Sequence, residues 1–170
     1  MISFGIDELI IQNPAWKSKR IGLVTNDAAT TNTGILSRTA LVQAGFTIVC
    51  LFTPEHGISA NAPDGEAQQN SMDTITGLPI ISLYGNKCMP TAQDLENIDL
   101  LLFDIPDIGA RFYTYLWTLT YVLEACAINK KKCIVLDRPN PVSGNFDAAE
   151  GPFLEESSSS FIGRWNIPIK

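Results

Sequence analysis

The run Thr47-Ile48-Val49-Cys50-Leu51-Phe52, followed at once by Thr53-Pro54-Glu55-His56-Gly57, decides the fold. Its continuous apolar, β-branched residues read as a strand buried on both faces, the pattern of a parallel sheet covered by helices. The strand empties into a loop that carries Glu55 and His56, the one histidine of the chain. Open α/β sheets bind ligands beyond the carboxyl ends of their strands. A carboxylate beside an imidazole at that place is the strongest functional signal in the sequence.

Outward from this run, strand and helix signals alternate. Upstream, Ile21-Gly22-Leu23-Val24-Thr25 reads as a strand and residues 34–44 as a helix stopped by Gly45. Downstream, a polar stretch from Pro54 to about Gly77 has neither period. A short strand at Pro79-Ile80-Ile81-Ser82-Leu83 follows, then a helix near 91–97 and a strand at Asp99-Leu100-Leu101-Leu102-Phe103. A helix over 114–128 and a strand at Cys133-Ile134-Val135-Leu136 complete the series. The expected architecture is α/β, a Rossmann-like, doubly wound, mainly parallel sheet of about five strands with helices on both faces. The 114–128 helix spreads Leu116, Trp117, Leu119, Tyr121, Val122 and Cys126 around most of its circumference, predicting burial on more than one side.

The 170 residues suit one domain, placed at 1–150. After a serine tract at 157–160 come Phe161, Ile162, Trp165, Ile167 and Ile169, with no later element to cover them. Residues 151–170 therefore read as the start of a linker to a C-terminal domain absent from this chain. The net charge of -6, from 12 basic and 18 acidic residues, argues against nucleic acid as a partner, because phosphate binding needs clustered Lys and Arg. Lys130-Lys131-Lys132 is a solvated turn between a helix and a strand. No apolar stretch approaches the roughly 18 residues of a membrane span, and no signal peptide is visible at the N-terminus. Cys50, Cys126 and Cys133 fall in core elements and Cys88 in a turn, without metal or disulfide spacing, so all four read as free structural thiols.

In a parallel sheet the carboxyl ends of the strands share one edge. There the sequence places Thr25-Asn26-Asp27, Pro54-Glu55-His56-Gly57, Tyr84-Gly85-Asn86, the segment from Asp104 through Asp107 and Arg111 to Tyr113, and Asp137-Arg138-Pro139-Asn140-Pro141. Converging carboxylates, amides, arginines and tyrosines suit a small molecule rich in hydroxyls or bearing a carboxylate. Taken singly, Asn26 reads equally as a turn cap, Asp107 and Arg111 as an ion pair, and Tyr113 and Tyr115 as core. Glycoside hydrolysis needs one carboxylic acid to protonate the leaving oxygen and usually a second carboxylate as base or nucleophile. Glu55 suits the acid. Asp104, Asp107, Asp137 and Glu150 are candidates for the second, and the sequence does not choose among them. A serine or cysteine nucleophile lacks its elbow, and a zinc site lacks ligands. A magnesium site from Glu55, Asp104 and Asp107 stays open. No Gly-x-Gly-x-x-Gly follows the first strand, which argues against a dinucleotide. No cofactor is expected.

These segments, with Phe52-Thr53 before Pro54 and Ser82-Leu83 before Tyr84, resemble in order the motifs of the bacterial exo-β-N-acetylmuramidase (NamZ-type) family, from Gly5 to Pro168. The resemblance implies a glycoside hydrolase that releases N-acetylmuramic acid from the non-reducing end of peptidoglycan fragments in cell-wall turnover, at the cell envelope. It implies a Rossmann-like N-terminal half and a smaller C-terminal half closing over a cleft. It places the catalytic glutamate on Glu55 with His56 beside it, and sets Asp137, Arg138 and Asn140 at the cleft with Glu150 near. Arg111 suits the lactyl carboxylate of the sugar, because a guanidinium fork matches a carboxylate. The family usually has Gln where this chain has Pro106, and continues beyond residue 170 into further motifs. The 170 residues alone are therefore expected to be a weak catalyst or a sugar-binding fragment.

Overall fold

Every residue of β1 (Ile21–Thr25) is buried, and so is every residue of β5 (Leu100–Asp104). The two pair in parallel, from Ile21 against Leu100 to Thr25 against Asp104. The continuous apolar runs exist because both strands lie in the middle of a sheet covered on both sides. In the computed structural model, which describes residues 2–61, 63, 69–110, 112–148 and 150–166, they are flanked by β2 (Ile48–Thr53), β4 (Pro79–Ser82) and β6 (Lys132–Val135). β3 (Ser71–Met72) adds a sixth strand, and the order is β3-β4-β2-β1-β5-β6. All pairings are parallel except β3 with β4. The chain runs outward from β1 to β4, then returns to β5 and β6 on the other side. That reversal makes the gap between β1 and β5 a topological switch point, where such sheets open a ligand crevice.

Successive strand residues alternate between two cores. α1 (Gly5–Gln12) and α2 (Ser37–Gln43) bring Ile6, Leu9 and Leu41 onto Ile21, Leu23, Leu100 and Leu102. On the other face, α3 (Ala92–Leu95) and α4 (Thr114–Ile128) bring Leu95, Val122 and Cys126 onto Val24, Phe52, Leu101 and Phe103. The doubly wound α/β arrangement expected from the sequence is what the structure shows.

Differences from the sequence reading are local. α1 was not anticipated: its cap residue Phe4 offers no side-chain bond, so no start signal precedes it. Its anchor is instead a close approach, the Gly5 N–H donating to the Asp137 carbonyl at 2.8 Å. A Cβ on Gly5 would lie 2.5 Å from the Asp137 backbone nitrogen. The helix expected over 34–44 begins only at Ser37, because Thr30 and Leu36 close an antiparallel bridge first. β3 lies within the stretch read as aperiodic; both its residues are exposed, so it carries no apolar pattern. α3 is a single turn held by a capping box between Thr91 and Asp94.

α4 is buried on two sides, as its composition predicts. Tyr115, Val122 and Cys126 face the sheet, while Trp117 and Thr120 are buried on another side. The chain after residue 150 folds back over that second side. Arg164 lies 3.7 Å from the Tyr121 ring centroid and donates to Thr120 Oγ1 at 2.8 Å and Glu124 Oε2 at 2.5 Å. Phe161 packs between Tyr84 and Tyr121. Ile162 and Trp165 stay about half exposed, at 48% and 50%, and Ile167 and Ile169 lie outside the described residues. All four cysteines are free. Burial, with Asp94 nearby, pushes the Cys50 thiol up to about 12, as suits an inert core group.

Candidate functional site

The carboxyl ends of the parallel strands do form one rim. β1 delivers Asn26, fully buried, and its Oδ1 accepts the Ala28 N–H at 3.1 Å to close the turn. β2 delivers Glu55, buried, and then His56 at φ 68, in the left-handed region that non-glycine residues seldom occupy. β5 ends in Asp104 and runs through Pro106 to Asp107, and β6 leads into Asp137, Arg138 and Asn140. Arg111 lies outside the described residues.

Asp104 and Arg138 hold each other. Arg138 Nε donates to Asp104 Oδ1 at 2.6 Å and Nη2 to Oδ2 at 2.9 Å, a two-point fork between side chains that are 7% and 0% exposed. Nη2 also donates to Ser37 Oγ at 3.2 Å, and the guanidinium sits 5.0 Å from the Phe4 ring centroid. The pair thus ties the β6 exit to β5, to the start of α2 and to the residue before α1. Asp104 is fully buried and each of its oxygens accepts from Arg138, so the pair is first a structural clasp. A second buried arginine, Arg38, braces the opposite flank, donating to Asp73 Oδ2 at 3.0 Å and Asp27 Oδ1 at 2.6 Å. The sequence offered no signal for Arg38, which sits in an ordinary helical pattern.

Asn26, Glu55 and Asp107 all act on a pair of tyrosines. Tyr113 and Tyr115 pack edge to face, 4.7 Å between centroids. Burial, then the Tyr113 phenol and the Glu55 carboxylate, push the Tyr115 phenol up to about 12, partly offset by the Asn26 amide. Tyr113 is raised in turn by burial and by Asp107. The Glu55 charge thus acts on Tyr115 and the Asp107 charge on Tyr113. Tyr115, read from sequence as core, is the hub of this cluster; its spacing two residues from Tyr113 was the available signal.

Two cavities open along the rim and share Asp107 and Arg138. One, about 280 Å³, is lined by Phe103, Ile105, Tyr115 and Asp137 besides those two; the other, about 340 Å³, by Phe4, Ala28, Pro106 and Pro139 among others. The first is near the lower size limit for small-molecule sites, and both are largely apolar in lining. Glu55 and His56 line neither. A third cavity, about 560 Å³, lies over the early part of β2 and the residues before β5, away from the rim.

The remaining candidates hold different places. Asp137 is exposed, and its Oδ1 accepts the Arg138 N–H at 2.9 Å. Asn140 Oδ1 accepts the Val142 N–H at 2.9 Å, and its amide fills the space where a Cβ on Gly109 would stand, locking the β5 and β6 loops together. Glu150 is exposed. Among the described residues, no group of three or more His, Cys, Asp or Glu side chains stands where it could hold a metal ion.

Residues 21–170 match the family model described as exo-beta-N-acetylmuramidase NamZ, N-terminal. The chain belongs to that family. It is 42% identical over 172 residues to the peptidoglycan beta-N-acetylmuramidase NamZ of Bacillus subtilis (strain 168), covering 99% of this chain and 41% of the relative. Two crystal structures of DUF1343 family proteins from Bacteroides fragilis share its fold. One is 39% identical with a TM-score of 0.86, the other 32% identical with a TM-score of 0.79. Each match covers 98% of this chain and only 41% or 42% of the solved chain. The chain thus spans about two fifths of the NamZ-family proteins it matches.

Proposed function

We propose that this chain is the Glu55-bearing part of a glycosidase that removes terminal, non-reducing N-acetylmuramic acid from peptidoglycan fragments. The observation that carries this reading is the 42% identity, across almost the whole chain, to a protein named as a peptidoglycan β-N-acetylmuramidase. The rim supports it physically. A buried carboxyl group stands at the exit of β2, across the switch point from Asp107, whose buried Oδ1 has no partner among the described residues. In this reading Glu55 gives its proton to the leaving oxygen as the glycosidic bond breaks. Arg138 and Asp104 act as the brace that keeps the rim in register. His56, Tyr113 and Asp137 face the sugar, and Arg111 pairs with its lactyl carboxylate. A domain corresponding to the rest of the relatives' length closes the cleft.

The test is hydrolysis of an aryl N-acetylmuraminide by a polypeptide of the relatives' full length. Glu55→Gln is expected to lower kcat by about 10²–10⁴-fold with KM little changed. Unchanged turnover by that variant refutes the assignment. The 170 residues alone are expected to turn over slowly, and full-rate hydrolysis by them contradicts the need for the remaining length. A sugar-binding module without chemistry is the second reading. It is favoured by the closed Asp104–Arg138 fork, which engages one candidate second carboxylate. It predicts no hydrolysis by any length of chain.

A further inference from the structure

Among the described residues the sheet ends at β6, which pairs with β5 on one side and with no strand on the other. Cys133 and Ile134 are only partly buried there and Val135 is 44% exposed, whereas β1 and β5 are buried throughout. An apolar strand with a bare edge is a template for further pairing, and proteins ordinarily cover one. α4 is bare on the same flank. Leu116, Leu119 and Leu123 lie at i, i+3 and i+7 and so form one stripe along the helix. Leu116 and Leu119 line the 280 Å³ cavity together with Val135 and Leu136, which turns the stripe towards β6. Leu123 continues it and is 44% exposed. The chain after residue 150 covers a different side of α4, where Arg164 holds Thr120, Tyr121 and Glu124.

Topology says what fits this flank. The chain fills five parallel positions, β4-β2-β1-β5-β6, and the common doubly wound order has a sixth beside the place β6 holds. Parallel crossovers are right-handed, so a second step in the direction of β5–α4–β6 sets its helix on the same face of the sheet as α4. That helix arrives alongside the leucine stripe, and its strand arrives at the β6 edge. We infer that Leu116, Leu119, Leu123 and the outer edge of β6 together seat one further helix–strand unit, supplied by the part of NamZ-family proteins beyond the N-terminal stretch matched here. The helix buries the leucines, and the strand pairs in parallel with β6. The relatives have ample length for it, because this chain covers 41% of the Bacillus subtilis protein and 41% or 42% of the solved chains. The inference goes beyond the muramidase reading and stands whether or not Glu55 is the acid.

The experiment compares this 170-residue chain with a polypeptide of the relatives' full length that carries it, by hydrogen exchange and urea midpoint. Exchange at the amides of Cys133, Ile134 and Val135 is expected to be at least about tenfold slower in the long polypeptide, where the edge is paired. Leu123→Gln keeps a good helix former at an already exposed position, so the midpoint of the 170-residue chain is expected to stay within about 0.3 M. In the long polypeptide the same change buries an amide against the docked helix, and the midpoint is expected to fall by about 1 M. Ile11→Gln, on α1 and 75% exposed, is the control and is expected to be silent in both. Exchange at β6 equally fast in the two polypeptides overturns the inference, as does a Leu123→Gln effect in the long one no larger than that of Ile11→Gln. An equal loss in the 170-residue chain also overturns it, whether it depends on concentration, as when a second copy covers the flank, or not.

Discussion

Arg138 illustrates how a residue is recognisable in sequence while its work is not. The Asp-Arg-Pro-Asn-Pro segment announces a rigid polar loop, yet its arginine closes on Asp104, 34 positions earlier, instead of waiting for a ligand. Removing one member of such a pair strands a charge in the interior. Arg138→Ala is therefore expected to destabilise the chain by about 3–5 kcal/mol, read from the urea midpoint. A cost below about 1 kcal/mol would mean that the fork is solvated in solution. The candidate site was legible as a set of residue types at strand ends: Asn26, Glu55, Asp107 and Asp137 all lie on the rim. What was not legible is pairing. Which carboxylate is neutralised, which tyrosine is the hub, and that Phe4 underlies a guanidinium all depend on contacts between distant segments.

Elements follow the same division. β1, β5 and α4 were legible to within a residue, because a fully buried strand or a helix buried on two sides is apolar without interruption. α1 and β3 were not, because one is held by a backbone contact and the other by edge pairing alone. The anchor of α1 can be tested directly. A methyl at Gly5 would meet the backbone of Leu136 and Asp137, which cannot swing aside as a side-chain end can. Gly5→Ala is expected to destabilise by about 1–3 kcal/mol, and hydrogen exchange should quicken selectively in α1 and at the β6 exit. Protection equal to that of the unchanged chain would show that the helix docks by its apolar face alone.

Across the whole molecule, several carboxylates link stability to pH in one direction. Burial alone would raise Asp73 and Asp94, but hydrogen bonds from Thr76 to the first and from Lys87 and Thr91 to the second, with the charges of Arg38 and Lys87, hold both below the usual carboxylate range. The Arg20 guanidinium holds exposed Asp99 at about 2. A lowered folded pKa means that the unfolded chain binds protons first on acidification. Stability is thus complete above an unfolded value of roughly 4 and declines as pH falls towards 2. Urea midpoints measured from pH 6 to 2.5 should be flat at first and then fall below about pH 4; a midpoint rising on acidification would contradict those pairings. The central claim is that separate strand ends build one binding rim at the β1–β5 switch point. Amide chemical-shift mapping of the 170-residue chain with N-acetylmuramic acid tests it most directly. The account predicts perturbations clustered at Asn26, Glu55, Asp107, Tyr115 and Asp137, whereas shifts confined to the cavity bounded by Asn70, Lys87 and Asn97 would contradict it.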